Sequence, residues 1–119
     1  MAAVLIVEDH ALMRDLLVAH FRAGGRFDSV IEAATGAEAL IAVAQQELAA
    51  VVLDLSLPDA RGSSLIPALR AGSPRVRIVV FSADPLGRIE AERSGADGFV
   101  AKGSDLAELD RILDPGGGR

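Results

Sequence analysis

The chain has 119 residues, of which 50% are hydrophobic and 24% are charged, so a single folded domain is expected rather than a disordered chain. The absence of cysteine excludes a disulfide scaffold, a thiolate metal site and thiol catalysis. A formal net charge of −5, with no Trp or Tyr, argues against direct binding to nucleic acid, because phosphates repel an acidic surface and few aromatic side chains are present to stack on bases.

Short apolar runs at regular intervals along the chain predict five strands. They comprise residues 2–7, 27–33, 49–53, 76–81 and 97–101. The first, third and fourth runs are rich in β-branched residues and apolar on both faces, which is typical of parallel strands covered by helices on both sides. The second run carries polar residues and suits an edge of the sheet. None of these runs is long enough to span a bilayer.

Helical patterns follow each of these strands. They cover residues 11–23, 36–47, 64–70, 85–94 and 105–113. Thr35 and Glu38 are predicted to form a capping box at the start of the second helix. Pro67 fits the third helix only in its first turn, Gly95 ends the fourth helix, and Ser104 is predicted to cap the fifth.

This alternation of strands and helices predicts an α/β fold with a parallel sheet and five helices on both of its faces. Right-handed crossovers leave few arrangements, and the commonest has the strand order 2-1-3-4-5, as in doubly wound, flavodoxin-like folds. We expect residues 1–114 to form the domain, with residues 115–119 as a glycine-rich tail or the start of a linker.

Polar side chains stand at the carboxyl ends of four of these strands. They are Glu8 and Asp9, Asp54, Ser82 and Lys102. In open parallel sheets, ligands bind in the crevice beyond those ends, where the strand order reverses. Because strand 1 lies beside strand 3 in the predicted order, all three acidic residues should become neighbours in space.

Three neighbouring carboxylates repel one another, so one pKa must rise or a cation must bind. Oxygen ligands of this kind suit Mg²⁺. A carboxylate beside Mg²⁺ can attack phosphorus and form an aspartyl phosphate. Asp54 and Mg²⁺, with Lys102 and Ser82 to stabilise charge, would be sufficient for such a phosphoryl transfer.

Four segments carry a resemblance to a known family. They are Val7-Glu8-Asp9-His10, Leu53-Asp54-Leu55-Ser56-Leu57-Pro58 with Gly62, Phe81-Ser82-Ala83, and Gly95-Ala96-Asp97-Gly98-Phe99-Val100-Ala101-Lys102. In this order and spacing the chain resembles, over essentially its whole length, the response-regulator receiver domain of two-component signalling. The stretch from Asp9 to Arg14 is similar to receivers that precede a helix-turn-helix output domain of the LuxR type.

This resemblance implies a role for each residue of the acidic group. Asp54 would be the phosphoacceptor and, together with Asp9, would bind Mg²⁺ directly. Glu8 would act on the metal largely through water, and the backbone carbonyl of Ser56 would be a further ligand.

The resemblance also implies how a phosphoryl group would be supplied and sensed. The donor would be the phosphohistidine of a histidine kinase or phosphotransfer protein, or a small acyl phosphate. Lys102 and Ser82 would contact the phosphoryl group, while Ser82 and Phe99 would switch the face formed by residues 85–113. Such a protein would accept a phosphoryl group rather than turn over a substrate. It would reside in the cytoplasm, without binding a membrane, and could form a homodimer when phosphorylated.

Three positions depart from the common pattern of the family. Ser82 stands where threonine is common, so one methyl contact is lost. Phe99 stands where tyrosine is frequent, so the ring can turn inward but cannot form a hydrogen bond outward. Gly103 follows Lys102 where many members have proline, so no cis peptide bond is expected there.

Four alternatives remain open from the sequence. A phosphatase with an aspartyl intermediate commonly has a second Asp two residues after the nucleophile, where this chain has Ser56. A flavodoxin-like cofactor module needs a Ser-, Thr- or Gly-rich loop after strand 1, where Glu8 and Asp9 would repel phosphate. A degenerate receiver that acts only by dimerisation would not need the intact acids and lysine. A stand-alone receiver would act on a protein partner instead of an attached output domain.

Overall fold

A five-stranded parallel sheet lies at the centre of the computed structural model, which describes residues 2–113. Its strands are β1 Ala3–Val7, β2 Ser29–Ala33, β3 Ala50–Leu53, β4 Arg77–Ser82 and β5 Gly98–Ala101. The hydrogen-bonded order is β2-β1-β3-β4-β5, and every neighbouring pair is parallel. The predicted strand order is confirmed, and it places the carboxyl ends of β1, β3, β4 and β5 along one edge.

Five α-helices alternate with the strands, as predicted: four connect successive strands and the fifth follows β5. They are α1 Ala11–Gly24, α2 Gly36–Gln45, α3 Ile66–Gly72, α4 Gly87–Ser94 and α5 Ala107–Leu113. A short 3-10 helix, Gly62–Leu65, precedes α3 and leaves Pro67 in the first turn of that helix. Between residues 2 and 113, no helix is both long and apolar enough to cross a membrane.

Two apolar cores, one on each face of the sheet, hold the helices in place. Alternate β1 residues contribute to opposite cores, with Leu5 in one and Ile6 in the other, and both side chains are fully buried. Burying one such side chain stabilises the fold by about 1.5–3 kcal/mol. The continuous apolar runs therefore encode strands that are covered on both sides. Polar side chains that could carry a function are left to the ends of the strands.

The N-terminal cap of α2 follows the prediction closely. The backbone N–H of Glu38 donates to Thr35 Oγ1 at 3.1 Å. The Glu38 carboxylate accepts from the N–H of Ala34 at 2.7 Å, one residue before the position expected for a capping box. Gly95, with φ 85, ends α4 as predicted, because this left-handed conformation suits glycine.

The predicted start of the fifth helix is wrong. Ser104 does not cap it; α5 begins at Ala107, and the side chain of Asp105 accepts from the N–H of Ala107 at 3.0 Å. A carboxylate at this place closes the turn and interacts favourably with the positive, N-terminal end of the helix dipole. Gly103, with φ 101, turns the chain just before this cap, and residues 2–113 contain no cis peptide bond.

Three other elements begin two residues later than predicted. α3 begins at Ile66 rather than at residue 64, because the 3-10 helix occupies residues 62–65. β2 begins at Ser29 rather than at residue 27. α4 begins at Gly87 rather than at Pro85, because residues 84–87 form a turn in which the N–H of Gly87 donates to the carbonyl of Asp84 at 2.9 Å. The predicted tail, residues 115–119, lies outside the described residues.

Candidate phosphoacceptor site

An open cleft lies at the carboxyl edge of the sheet, where the sequence predicts the chemistry. The ends of β1, β3, β4 and β5 all contribute to it. It is lined by Glu8, Asp9, His10, Met13, Asp54, Ser56, Ser82, Ala83, Asp84 and Lys102. The topology therefore brings together every residue that the sequence analysis placed at a strand end.

Three carboxylates in the cleft are close enough to hold one metal ion. One oxygen from each of Glu8, Asp9 and Asp54 lies within 4.8 Å of the other two. Glu8 is 1% exposed and Asp54 4% exposed, whereas Asp9 is exposed at the mouth. This all-oxygen donor set, open to solvent on one side, fits Mg²⁺, which keeps several waters in its coordination shell.

Lys102, the only lysine of the chain, faces these carboxylates. Its Nζ atom lies 2.9 Å from Glu8 Oε1 and 3.4 Å from Asp54 Oδ2. Glu8 Oε1 is buried, and among residues 2–113 its one polar partner is this Lys102 ammonium. The other oxygen, Oε2, accepts from the N–H of His10 at 3.1 Å. Glu8 Oε1 thus retains free lone pairs that a metal-bound water could satisfy.

The protonation of this group is set by burial and by mutual charge. Burial raises the pKa of Glu8, and the neighbouring Asp54 carboxylate raises it further, whereas Lys102 and the N–H of His10 act in the opposite direction. Burial by itself would lower the pKa of Lys102, but the carboxylates of Glu8 and Asp54 outweigh it and raise that pKa. Lys102 is therefore a cation at neutral pH.

Backbone contacts hold the strand ends around Asp54 in register. The N–H of Asp54 donates to the carbonyl of Val7 at 3.0 Å, and the N–H of Ser56 donates to Asp54 Oδ1 at 3.2 Å. The N–H of Lys102 donates to the carbonyl of Ser82 at 2.9 Å. The buried Ser82 hydroxyl accepts from the N–H of Asp84 at 3.1 Å, which leaves its own proton free to be donated.

Phe99 does not line the cleft but packs beside it. The ring is half-buried in a small apolar cluster with Leu55 and lies against Gly87, where an added Cβ atom would come within 2.7 Å of the ring. The guanidinium of Arg88, an exposed residue of α4, lies 4.9 Å from the ring centre. Phe99 thus connects the loop that follows Asp54 to the start of α4.

Arg14 holds the turn after β1, a role that its place in the sequence does not indicate. Its guanidinium donates to the carbonyl of Glu8 at 2.9 Å and to that of Asp9 at 3.4 Å, and it pairs with Glu32 on β2. These contacts fix the turn that carries two of the three acids. The sequence does show a positively charged residue in the first turn of α1. Spacing alone, however, cannot identify the backbone carbonyls to which it donates.

Replacing Lys102 by methionine is expected to destabilise the metal-free protein by about 2–3 kcal/mol at neutral pH, because two buried carboxylates lose their cation. The folded-state pKa of Glu8, already raised, would rise further above its unfolded value. Native protein would then bind more protons than unfolded protein, so the deficit should shrink as pH falls from about 8 to about 5. Urea unfolding in a chelator measures this.

Arg111→Met is the control for the loss of one positive charge, since Arg111 is exposed on α5 and, among residues 2–113, pairs with Glu108 alone. Its effect should stay within about 0.5 kcal/mol. An equal Lys102→Met deficit at both ends of the pH range would contradict the assigned electrostatics.

The fold and this cleft together define an α/β domain of the receiver type, in which chemistry is gathered beyond the carboxyl ends of a parallel sheet. The sequence profile of the response regulator receiver domain matches residues 4–114. The chain therefore belongs to that family.

A curated relative from Mycobacterium tuberculosis supports this assignment. The DNA-binding transcriptional activator DevR/DosR is 34% identical to this chain over 122 residues, covering 100% of this chain and 56% of the relative. The chain spans about half the length, or less, of the curated relatives that it matches first.

Two solved structures that share the fold contain a divalent metal ion. A response regulator from Burkholderia pseudomallei, with a phosphorylated aspartic acid and a calcium ion, has a TM-score of 0.86 and 25% identity, over 97% of this chain and 68% of that one. The receiver domain of the sensor histidine kinase PA1611 from Pseudomonas aeruginosa has magnesium in its active-site cleft. Its TM-score is 0.83 and its identity 29%, over 99% of this chain and 98% of that one.

Proposed function

We propose that Asp54 accepts a phosphoryl group from a histidine kinase or phosphotransfer protein, and that the chain then switches the face formed by α4, β5 and α5. The observation that supports this most directly is the position of Asp54: a buried carboxylate within the acidic group, 3.4 Å from the amine of Lys102. In this proposal the protein works in the cytoplasm and controls transcription through an output domain of the LuxR type.

Phosphoryl transfer here would proceed by attack of an Asp54 carboxylate oxygen on phosphorus. A new P–O bond forms while the bond from phosphorus to the donor breaks, and acetate leaves when the donor is acetyl phosphate. Lys102 neutralises charge on the phosphoryl oxygens, and the Ser82 hydroxyl donates a hydrogen bond to one of them. The residues thus align and neutralise, without needing to move a proton in the transfer itself.

We propose that Asp9, Asp54 and the backbone carbonyl of Ser56 hold Mg²⁺ directly, with Glu8 acting through water. The close approach of the three carboxylates and the free lone pairs of Glu8 Oε1 support this set. The bound ion would supply charge neutralisation and in-line alignment of the phosphoryl group. The magnesium in the PA1611 receiver cleft, in a structure 29% identical to this chain, is further support.

The switch would follow from the charge that phosphorylation adds, about −1.5 to −2. We propose that Ser82 moves toward that charge, that residues 83–86 follow, and that Phe99 turns into the space released. One charge-assisted hydrogen bond contributes about 1.5–3 kcal/mol, whereas moving a population from 1:99 to 99:1 takes about 5.5 kcal/mol. The shift should therefore be partial until a partner or a second copy of the chain binds the switched face.

Transfer of the phosphoryl group onward to water is expected to be slow, so the protein is not proposed as a turnover enzyme. The aspartyl-phosphate phosphatase alternative commonly uses a carboxylate two residues after the nucleophile. Ser56 occupies that position, and its described contact with Asp54 is a backbone N–H. An acyl phosphate formed on Asp54 would then last long enough to act as a signal.

Intact-mass measurement tests this function on the native chain. Incubation with acetyl phosphate and Mg²⁺ should add the mass of one phosphoryl group, and a chelator should prevent it. Hydroxylamine should remove the added mass, because it cleaves acyl phosphates. Absence of the mass gain, or steady hydrolysis of a phosphomonoester, would overturn the proposal.

Magnesium alone should stabilise the native protein, because the ion binds the folded site and not the unfolded chain. At a concentration one hundred times its dissociation constant, the gain should be about 2.7 kcal/mol. Thermal unfolding across a magnesium titration measures the gain, and Asp9→Asn should shift the curve to higher concentration. An identical curve for that variant would remove Asp9 from the proposed ligand set.

A further inference from the structure

A network of charged side chains ties three segments together at the mouth of the cleft. Arg61 lies in the loop between β3 and α3. Its Nη2 atom donates to Asp84 Oδ2 at 2.7 Å and to Glu90 Oε1 at 2.6 Å. Its Nε atom also donates to Glu90 Oε2 at 2.8 Å. One guanidinium therefore holds both the turn before α4 and α4 itself.

The base of this network is fixed relative to the phosphoacceptor. Arg61 pairs with Ser56 in an isolated antiparallel bridge, and the N–H of the next residue, Gly62, donates to the carbonyl of Leu55 at 2.8 Å. The loop that carries Arg61 is thus bonded to the two residues that follow Asp54. The positive charge stands on the same rigid segment as the carboxylate that would be phosphorylated.

Asp84 belongs both to this network and to the site. It lines the cleft, its N–H donates to Ser82 Oγ, and its Oδ1 accepts from the N–H of Leu86 at 2.9 Å. The contact with Arg61 thus orders the turn that presents the Ser82 hydroxyl. Hydrogen bonds from Arg61 and Leu86 also lower the pKa of Asp84, which keeps that carboxylate charged at neutral pH.

The mouth of the cleft is strongly acidic, so the pairing of Asp84 with Arg61 affects the charge that an incoming donor meets. The cleft is lined by four acidic side chains, Glu8, Asp9, Asp54 and Asp84, against the single amine of Lys102. A phosphoryl donor is itself an anion, so any uncompensated carboxylate on its path repels it. Arg61 compensates Asp84 from outside the cleft without occupying the space that the donor needs.

We propose that Arg61 is a positioning residue for phosphoryl acceptance: it neutralises Asp84 at the mouth of the cleft and holds the turn that presents the Ser82 hydroxyl. This inference rests on the proposed function of Asp54. It adds a residue whose described side-chain hydrogen bonds go to Asp84 and Glu90, not to the metal-binding carboxylates or the phosphoryl group. It predicts that loss of Arg61 slows phosphoryl acceptance because the negative charge of Asp84 is then uncompensated.

A double-mutant cycle with acetyl phosphate tests this inference. Arg61→Gln should slow the initial rate of mass gain about fivefold, the range for loss of one partly exposed charge contact. Arg61→Gln/Asp84→Asn should recover to within about twofold of Asp84→Asn alone, because the stranded carboxylate is gone. Arg111→Gln on α5 serves as the control for charge and should label like the native chain.

Salt and folding measurements separate this role from a structural one. The Arg61→Gln deficit, taken as a ratio to the native rate, should shrink toward one in about 1 M NaCl, where charge interactions are screened within ~3 Å. Urea midpoints of all variants show whether folding changes. If Arg61→Gln does not fold, Arg61→Lys keeps the charge without the forked contact. Because the inference depends on the charge beside Asp84, this variant should label within about twofold of native.

Each outcome of the cycle has a definite meaning. An Arg61→Gln rate equal to the native rate overturns the inference, and so does a slow rate that Asp84→Asn fails to rescue. A native chain that gains no phosphoryl mass overturns the function of Asp54 instead. The two failures are thus distinguishable within one experiment.

Discussion

The Asp54→Asn variant is expected to gain no phosphoryl mass from acetyl phosphate and Mg²⁺, whereas the native chain gains one group. The substitution exchanges one oxygen for an NH₂ group of similar size, so the carboxylate nucleophile and one metal-binding charge are lost with little change in shape. An amide is too weak a nucleophile to attack phosphorus at a useful rate. Intact-mass spectrometry over a time course measures the difference.

Two controls separate loss of chemistry from loss of structure. Asp15→Asn changes an exposed carboxylate on α1 and should be labelled like the native chain. In a chelator, Asp54→Asn should be at least as stable to urea as the native chain, because the Asp54 charge raises the pKa of Glu8 through repulsion. Retained labelling of Asp54→Asn would move the phosphoacceptor to another residue of the cleft.

The fold could be predicted because each level of the sequence points to the same arrangement. Residues 2–7 and 49–53 are apolar without alternation, and β1 and β3 are indeed buried on both faces. Handedness rules then leave few strand orders, and the predicted order places β1 beside β3. Once that neighbour relation is fixed, Glu8, Asp9 and Asp54 must meet.

The parts that the sequence could not predict depend on side chains that reach across loops. Arg61 is 23 residues from Asp84 and 29 from Glu90, and no periodicity relates these positions. The contact of Arg14 with the carbonyls of Glu8 and Asp9 is equally invisible, since backbone acceptors have no sequence signature. The start of α5 was missed because Asp105 competes with Ser104 for the same capping role.

Replacing Gly62 by alanine is expected to cost about 3 kcal/mol of unfolding free energy and to displace the loop that follows Asp54. An added Cβ atom would lie 2.0 Å from the carbonyl oxygen of Asp54 and 3.0 Å from the Cα atom of Leu55. Both are backbone atoms, which cannot rotate away as a flexible side chain can. The backbone of Asp54 must therefore move, and labelling by acetyl phosphate should slow together with the loss of stability.

Gly24→Ala is the matched control, since nothing lies within 4 Å of an added Cβ atom at the last residue of α1. That variant should stay within about 1 kcal/mol of the native chain, and alanine favours the helical conformation. Urea unfolding of both variants, followed by labelling at a temperature where both are folded, separates packing from chemistry. If Gly62→Ala were as stable as Gly24→Ala, the close approach that holds Asp54 to its loop would be refuted.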